Sequence, residues 1–292
     1  MNIVESIRAA GVVGAGGAGF PAHVKLNGKA EYVIANGAEC EPLLRVDQLL
    51  MQREAKRVVR GVALAMEATG AARGVIATKA HYHDAVHALE QALGGRNDIT
   101  LHLMDSYYPS GDEKSIIFEV TGRVVPSGKL PLDVGCVVSN VATLVNISAA
   151  VEGTPVIRKD VTVGGEVPHP ITVTVPIGSP IREIIALSGF SGSCENFALI
   201  VGGLQRAVQQ LGEVIEISCA HQLTVHDLLQ RCADGGGGAV PRIQQLVGAA
   251  IRKYQRGGAA VHADPVAVHE LLRRLYILIG VGDTLIGHHV DE

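Results

Sequence analysis

Short apolar runs alternate with amphipathic segments along the first half of the chain. Four runs are rich in β-branched residues and predict buried strands, at 31–36, 73–79, 99–104 and 133–140. Apolar positions between and after them recur at helical spacing and predict helices at 47–66, at 82–93, around 113–120 and at 140–151. Strands that alternate with helices predict an α/β domain with a mostly parallel sheet.

The pattern changes after Gly153. Residues 156–163 and 171–175 alternate with period two, which predicts short antiparallel strands; a helix at 180–187 and a strand at 197–201 complete a small α+β module. Farther on the pattern is weaker and predicts one strand and three helices, at 213–218, 225–232, 241–254 and 265–279. We therefore expect three regions: an α/β domain at 1–153, a small α+β domain at 154–203, and a mostly helical region at 204–292.

Composition narrows the function classes. With 47% hydrophobic residues the chain can bury a core, while a net charge of −4, 3% aromatics and no Trp argue against nucleic-acid binding. The first residues lack the features of a signal peptide, and no apolar stretch is long enough to cross a bilayer, so we expect a cytoplasmic protein without a transmembrane segment. The five cysteines are scattered and form no C-x-x-C motif, which argues against a zinc ribbon or a clustered [4Fe–4S] site. We predict no metal site.

A glycine-rich loop at 11–26, GVVGAGGAGFPAHVKL, is the most informative motif. Glycine lets backbone N–H groups approach a ligand, and Pro21 can open a helix whose N-terminus favours a phosphate. The segment 14–19 fits the G-x-G-x-x-G dinucleotide fingerprint, with Glu39 about twenty residues on. However, the residues before it have helical rather than strand spacing. Three interpretations stay open: a Rossmann NAD site, a plain tight turn and, favoured here, a phosphate loop of another type.

Candidate ligand-binding residues also follow three predicted strands, at the edge of the sheet where α/β proteins bind ligands. They are Glu39 and Glu41 after the first strand, Gly111 and Glu113 in the loop YYPSGDEK, and Asn140 and Thr143 at the start of a helix. Solvated loop charges and helix caps are the alternative explanations.

In this order, GVVGAGGAGFPAHVKL, NGAECEP, YYPSGDEK, VPSGKLPLDVG and SNVATLVNI resemble the flavin-binding domain shared by the Rnf complex C subunit and the cobalamin reductase of propanediol utilisation. More distantly, they are similar to the NADH- and FMN-binding subunit of respiratory complex I. VTVGGEVPHPITVTVPIGSPIREIIALSG with FALIVGG resembles the soluble-ligand-binding β-grasp (SLBB) module that follows in those proteins. The resemblance covers residues 5–203 and implies a complex I flavoprotein-type fold rather than a Rossmann domain.

The resemblance also implies FMN and NAD as cofactors. Carried over motif by motif, Gly14, Gly16, Gly17 and Gly19 line the FMN, and Lys25 lies near its phosphate.

Five further residues are assigned to the flavin in the same way. Asn36, Glu39 and Gly111 approach the flavin, while Asn140 and Thr143 hold its ribityl-phosphate end.

On the dinucleotide side, the resemblance implies that Phe20 stacks with NADH and that Glu41 and Glu113 meet its ribose or nicotinamide. Because hydride transfer is the chemistry of the cofactors, no protein acid or base is predicted. The sequence departs from the relatives at two positions: Ala38 stands where the complex I pattern has aspartate, and Asp112 replaces either a glutamate or a small residue of the relatives.

The implied function is an FMN-dependent, NADH-oxidising subunit that passes electrons to a partner protein or a corrinoid within a larger complex. The relatives continue after the β-grasp module into cysteine-rich [4Fe–4S] segments, which this sequence lacks. That difference favours the alternative, a non-catalytic flavin- or ligand-binding assembly subunit.

Overall fold

The computed structural model describes residues 2–16, 19–39, 43–107, 110–165 and 167–191, and the backbone of strands at 198–201, 214–215 and 276–280. The chain divides into two compact units: Met1–Cys40 with Asp47–Val156, and Glu41–Val46 with Ile157–Glu292. The domain boundaries expected from the sequence stay predictions. Among the described helices, none combines the length and the apolarity that a membrane crossing requires.

The first unit contains a four-stranded sheet in which every pair of neighbours is parallel. Its strands are Tyr32–Gly37 (β1), Arg73–Lys79 (β2), Ile99–Met104 (β3) and Cys136–Asn140 (β4). Their order is β3-β2-β1-β4, so β1 and β2 are central. The predicted parallel α/β sheet is confirmed, and all four strands end at one edge.

Helices cover both faces of this sheet. They are Ile3–Ala9 (α1), Ala22–Lys25 (α2), Val46–Arg53 (α3), Ala55–Thr69 (α4), His83–Leu93 (α5), Glu113–Thr121 (α6) and Val141–Val151 (α7), with a 3-10 turn at Pro131–Val134. One core cluster contains buried residues from α1, α4, α5 and α7, such as Ile7, Val58 and Leu144. A second cluster joins Ile116 and Ile117 of α6 to the sheet. The sheet is therefore the middle of three layers.

Close backbone approach holds α4 against α7. A Cβ on Gly61 would lie 2.2 Å from the main-chain oxygen of Leu144, so a side chain there requires the two helices to separate. At the end of β1, a Cβ on Gly37 would lie 2.4 Å from the sulphur of Met51. Packing therefore requires glycine at position 61, where the clash is with backbone, whereas at position 37 the Met51 side chain would have to shift.

One predicted helix is divided in two. The sequence predicts a continuous helix over 47–66, but Glu54 leaves helical geometry, with φ −117° and ψ 26°, between α3 and α4. Met51 before the break and Val58 after it are both fully buried. A single straight helix presents one apolar stripe in a fixed direction. The break lets each of the two segments turn its own apolar residues toward the core.

The second unit contains a five-stranded sheet with the order β6-β5-β9-β7-β8. Its elements are Arg158–Gly165 (β5), Ile171–Pro176 (β6), Ile181–Ala186 (α8), Ala198–Val201 (β7), Val214–Ile215 (β8) and Tyr276–Gly280 (β9). The predicted antiparallel pairing of β5 with β6 is confirmed. Assignment of this region to the SLBB class stays a prediction.

One prediction for the C-terminal region is wrong in its described part. The apolar spacing predicts a helix over 265–279, but residues 276–279 belong to β9, which lies between β5, to which it is antiparallel, and β7, to which it is parallel. Residues 265–275 and the helices predicted at 225–232 and 241–254 lie outside the described residues. A short apolar run fits either a buried strand or a helix, and pairing partners that are distant in sequence decide between them.

Candidate cofactor site

The glycine loop is closed at its base by main-chain hydrogen bonds. Gly14 N–H donates to the carbonyl of Phe20 at 2.8 Å, and Ala22 N–H donates to the carbonyl of Val12 at 3.1 Å. Helix α1 precedes the loop, where a Rossmann domain has a strand, and Val13 forms only an isolated bridge with Pro21. The structure therefore favours a loop type other than the dinucleotide fingerprint, as expected.

Among the described residues, the loop leaves open space beside Gly19. Gly19 has φ +58°, in the left-handed region, and a Cβ built on it meets no atom within 4 Å. A Cβ on Gly14 makes only ordinary contacts of 3.6 Å with the backbone of Phe20, and Gly16 is half-buried in a turn. The side chain of Phe20 is 50% exposed, so it offers an open aromatic surface beside the loop. Gly17 lies outside the described residues.

The loop is attached to the N-terminus of α7. The N–H of Ala15 donates to Oγ1 of Thr143 at 2.8 Å, and both residues are buried. Asn140 caps the same helix, because its Oδ1 accepts from the N–H of Ala142 at 2.8 Å. Its Nδ2 donates to Oδ2 of the buried Asp47 at 2.8 Å. These contacts bring the glycine loop to a helix N-terminus, where a phosphate is stabilised by the helix dipole.

Asn36 joins the end of β1 to the loop between β3 and α6. Its Nδ2 donates to the carbonyl of Gly111 at 2.9 Å, and its Oδ1 accepts from the N–H of Ala38 at 3.1 Å. The next residue, Glu39, is only 2% exposed. The predicted flavin-side residues Asn36, Glu39 and Gly111 are thus gathered at the carboxyl edge of the sheet. Glu41 lies outside the described residues.

Lys25 and Glu113 form an ion pair. Nζ of Lys25 lies 2.9 Å from Oε1 of Glu113, and both side chains are partly exposed. The pair joins α2, which follows the glycine loop, to the first turn of α6. Asp112, one of the two departures from the relatives, caps α6 by accepting from the N–H groups of Lys114 and Ser115.

Sequence reasoning did not identify four buried residues with polar groups at this edge as site residues: Asp47, Lys79, Tyr82 and Ser110. Lys79 and Tyr82 donate to the main-chain carbonyl of Glu39, at 2.5 and 3.5 Å. Their positions in the sequence could have identified two of them, because Lys79 ends an apolar strand and Ser110 directly precedes Gly111, a predicted site residue. Asp47 carried only the ordinary signature of an acid in a first helical turn.

Two hydroxyl groups test whether these residues fit FMN. Oγ of Ser110 is fully buried and has no hydrogen-bond partner among the described residues. The Thr143 hydroxyl accepts from the N–H of Ala15, and its own hydrogen can still be donated to a ligand. Buried hydroxyls normally have partners. Together with the open space at Gly19, these donors fit a polar phosphorylated ligand such as FMN.

The architecture and the donor set define the class. A parallel α/β sheet that carries a glycine loop, a helix N-terminus and amide donors at one edge is a nucleotide-cofactor-binding domain. Residues 7–149 match the Nuo51 FMN-binding domain model. This segment of the chain is therefore similar to the Nuo51 FMN-binding domain family.

Curated relatives agree with this assignment. The cobalamin reductase PduS of Citrobacter freundii is 54% identical over 189 residues, which are 64% of this chain and 42% of that protein. The C subunit of the Na(+)-translocating ferredoxin:NAD(+) oxidoreductase complex of Acetobacterium woodii is 40% identical over 215 residues, 71% of this chain and 48% of that protein. The chain thus spans less than half the length of these relatives.

Solved structures support the fold. A chain of the NAD+-reducing [NiFe]-hydrogenase in the air-oxidised state superposes with a TM-score of 0.59 at 26% identity, over 69% of this chain and 40% of that chain. The resemblance to the complex I flavoprotein type is therefore confirmed. The family and its NAD-linked relatives support the expected cofactors, FMN and NAD.

Proposed function

We propose that this chain is an FMN-dependent electron-transfer subunit that oxidises NADH and passes electrons to a partner protein or a corrinoid. The observation that carries the proposal is the joining of motifs that are far apart in sequence. Ala15 meets Thr143, Asn36 meets Gly111, and Lys25 meets Glu113, all through direct hydrogen bonds. The predicted phosphate, flavin and dinucleotide residues thus converge on one edge of the sheet.

The residues of the chain bind and orient the two cofactors. In this proposal the glycine loop and the N-terminus of α7 hold the phosphate, and Asn36 with its neighbours holds the flavin. The exposed Phe20 ring stacks with the dinucleotide, and the carboxylates of Glu113 and Glu41 bind its ribose or nicotinamide. When bound, FMN accepts a hydride from NADH and can release electrons singly, so the protein contributes mainly proximity and orientation.

The relatives support the general part of this proposal, which is electron transfer within a larger complex. They are named as a cobalamin reductase and as subunits of ion-translocating oxidoreductase complexes, so we propose oxidoreductase activity within a larger complex. Residues 154–203 are proposed to form the SLBB module, which offers a surface for a corrinoid or a carrier protein. Location in the cytoplasm stays a prediction.

One observation favours a second candidate, a non-catalytic flavin-binding assembly subunit. The five cysteines of the chain form no C-x-x-C motif, so the sequence supplies no clustered ligands for an iron–sulphur centre that could receive electrons from the flavin.

Anaerobic titration with NADH separates the two candidates. The purified full chain is loaded with FMN, and the visible flavin absorption is followed as NADH is added. Bleaching supports the oxidoreductase, and retained flavin without bleaching supports the assembly role. A chain that binds no FMN contradicts both.

Glu113→Gln tests the dinucleotide side of the site. This change removes the charge that pairs with Lys25 and is proposed to meet NADH, so we expect KM for NADH to rise about tenfold. The Kd for FMN should stay within about threefold of wild type. Glu119→Gln, on the same helix, is the matched control, because Glu119 pairs instead with His102 and Tyr107. An unchanged KM in Glu113→Gln removes this residue from the site.

A further inference from the structure

Lys79 is an unusual lysine because it is buried. It is 8% exposed, and no other lysine or arginine among the described residues is buried. It ends β2, next to the end of β1, where Gly37 pairs with Thr78. Lys79 therefore lies at the edge of the sheet that carries the candidate cofactor site, and its side chain reaches the Glu39 main chain there.

The ammonium of Lys79 is held by a neutral group. Nζ donates to the main-chain carbonyl of Glu39 at 2.5 Å and lies 5.9 Å from the centre of the Tyr82 ring. The Tyr82 hydroxyl donates to the same carbonyl at 3.5 Å. In the part of the chain that the structure describes, Lys79 forms no ion pair with a carboxylate. Among the described residues, this backbone oxygen is the acceptor for one of the three N–H donors of the ammonium.

Burial of a cation in this way is expensive. A buried ammonium is normally paired with an anion, because removal from water costs more than one neutral acceptor returns. A surface-exposed lysine could hold a loop through a carbonyl without that cost. A buried lysine at this position therefore indicates that its positive charge is used.

We propose that Lys79 is a positioning residue of the flavin site: it holds the loop that begins at Glu39 and supplies a fixed positive charge that favours reduced over oxidised FMN. The inference rests on the proposed binding of FMN at this edge. Reduced flavin can carry one more negative charge than oxidised flavin, so a fixed cation stabilises it selectively.

The test measures FMN binding rather than turnover. The Kd of oxidised FMN and, anaerobically with dithionite, of reduced FMN is measured for the full chain and for two variants. Lys79→Gln keeps a hydrogen-bond donor and loses the charge, while Lys79→Arg keeps both. For Lys79→Gln we expect the Kd of oxidised FMN to rise about threefold and that of reduced FMN about thirtyfold. This tenfold difference between the two rises in Kd corresponds to a midpoint potential of the bound flavin that is about 30 mV more negative than in wild type. Lys79→Arg should keep the wild-type ratio of the two Kd values within about threefold.

The measured Kd values test the role of Lys79 and the proposed FMN binding separately. Equal weakening of both redox forms in Lys79→Gln, or no weakening, overturns the proposal, because a purely structural role does not distinguish them. If Lys79→Gln does not fold, Lys79→Met serves as the neutral variant, and the same change or lack of change in the ratio of the two Kd values decides the proposal. If wild type binds no FMN, the proposed function fails and this inference fails with it. If wild type binds FMN and the Lys79→Gln ratio is unchanged, only the role of Lys79 fails.

Discussion

Thr143→Val isolates the bond that joins the glycine loop to α7. Oγ1 of Thr143 accepts from the N–H of Ala15 at 2.8 Å, and the two residues are 3% and 6% exposed. Valine has nearly the same shape, so packing is preserved while the acceptor is lost. A buried N–H that loses its acceptor costs about 1–3 kcal/mol, and we expect the apparent melting temperature to fall accordingly.

The same change should weaken FMN binding. If the Thr143 hydroxyl donates to the FMN phosphate, its loss removes a hydrogen bond to a charged group, worth about 1.5–3 kcal/mol. This corresponds to a rise of about 10- to 100-fold in the Kd of FMN, measured by fluorescence titration of the apoprotein.

Two variants serve as controls for this prediction. Thr143→Ser keeps the hydroxyl and should bind FMN nearly as wild type does. Thr162→Val removes a comparable buried hydroxyl in the second unit, where Thr162 accepts from the N–H of Arg45 at 3.3 Å, and should leave the Kd of FMN unchanged. A Kd for Thr143→Val within about threefold of wild type refutes the assigned role.

Two further predictions concern packing and titration. Gly61→Ala should destabilise the first unit by about 2–3 kcal/mol in spite of the better helix propensity of alanine, because its Cβ meets the backbone of Leu144; thermal melting checks this, and unchanged melting contradicts the close approach. The pKa of His81 is lowered by partial burial of its ring, by Lys79 and by His83, so it should titrate below 6.5 in an NMR titration, and Lys79→Gln should raise it. Because the folded-state pKa is the lower one, the stability that His81 contributes is lost as the pH falls from about 6.5 through that value; a pKa that Lys79→Gln leaves unchanged contradicts the contact.

Local pattern located the strands of the first sheet. The runs 31–36, 73–79 and 99–104 correspond to β1, β2 and β3 within a residue at each end, and the two central strands are nearly continuous buried runs, as parallel strands covered on both faces are. The run 133–140 begins three residues before β4, where the chain forms a 3-10 turn. Pattern was insufficient at Glu54, where a helix breaks to fit the core, and at 276–280, where an apolar run forms a strand between two distant partners.

The candidate site was predictable as motifs but not as contacts. The order of the glycine loop and of the strand-end loops indicated the cofactor class, since each motif carries donors suited to a phosphorylated ligand. Nothing local connects Ala15 with Thr143, or Lys25 with Glu113, which are separated by 128 and 88 residues. Asp47 and Lys79 were missed for the same reason, since a charged residue is recognised as buried only when its neighbours are known.

The sequence by itself determined the α/β class, the parallel sheet and the family, because these depend on short-range periodicity and on ordered motifs. Only the tertiary structure decided which donors meet at the sheet edge, which helix ends face the glycine loop, and that a lysine is enclosed there. Those features arise when the strands align and bring their carboxyl ends together, so no single segment of the chain contains them.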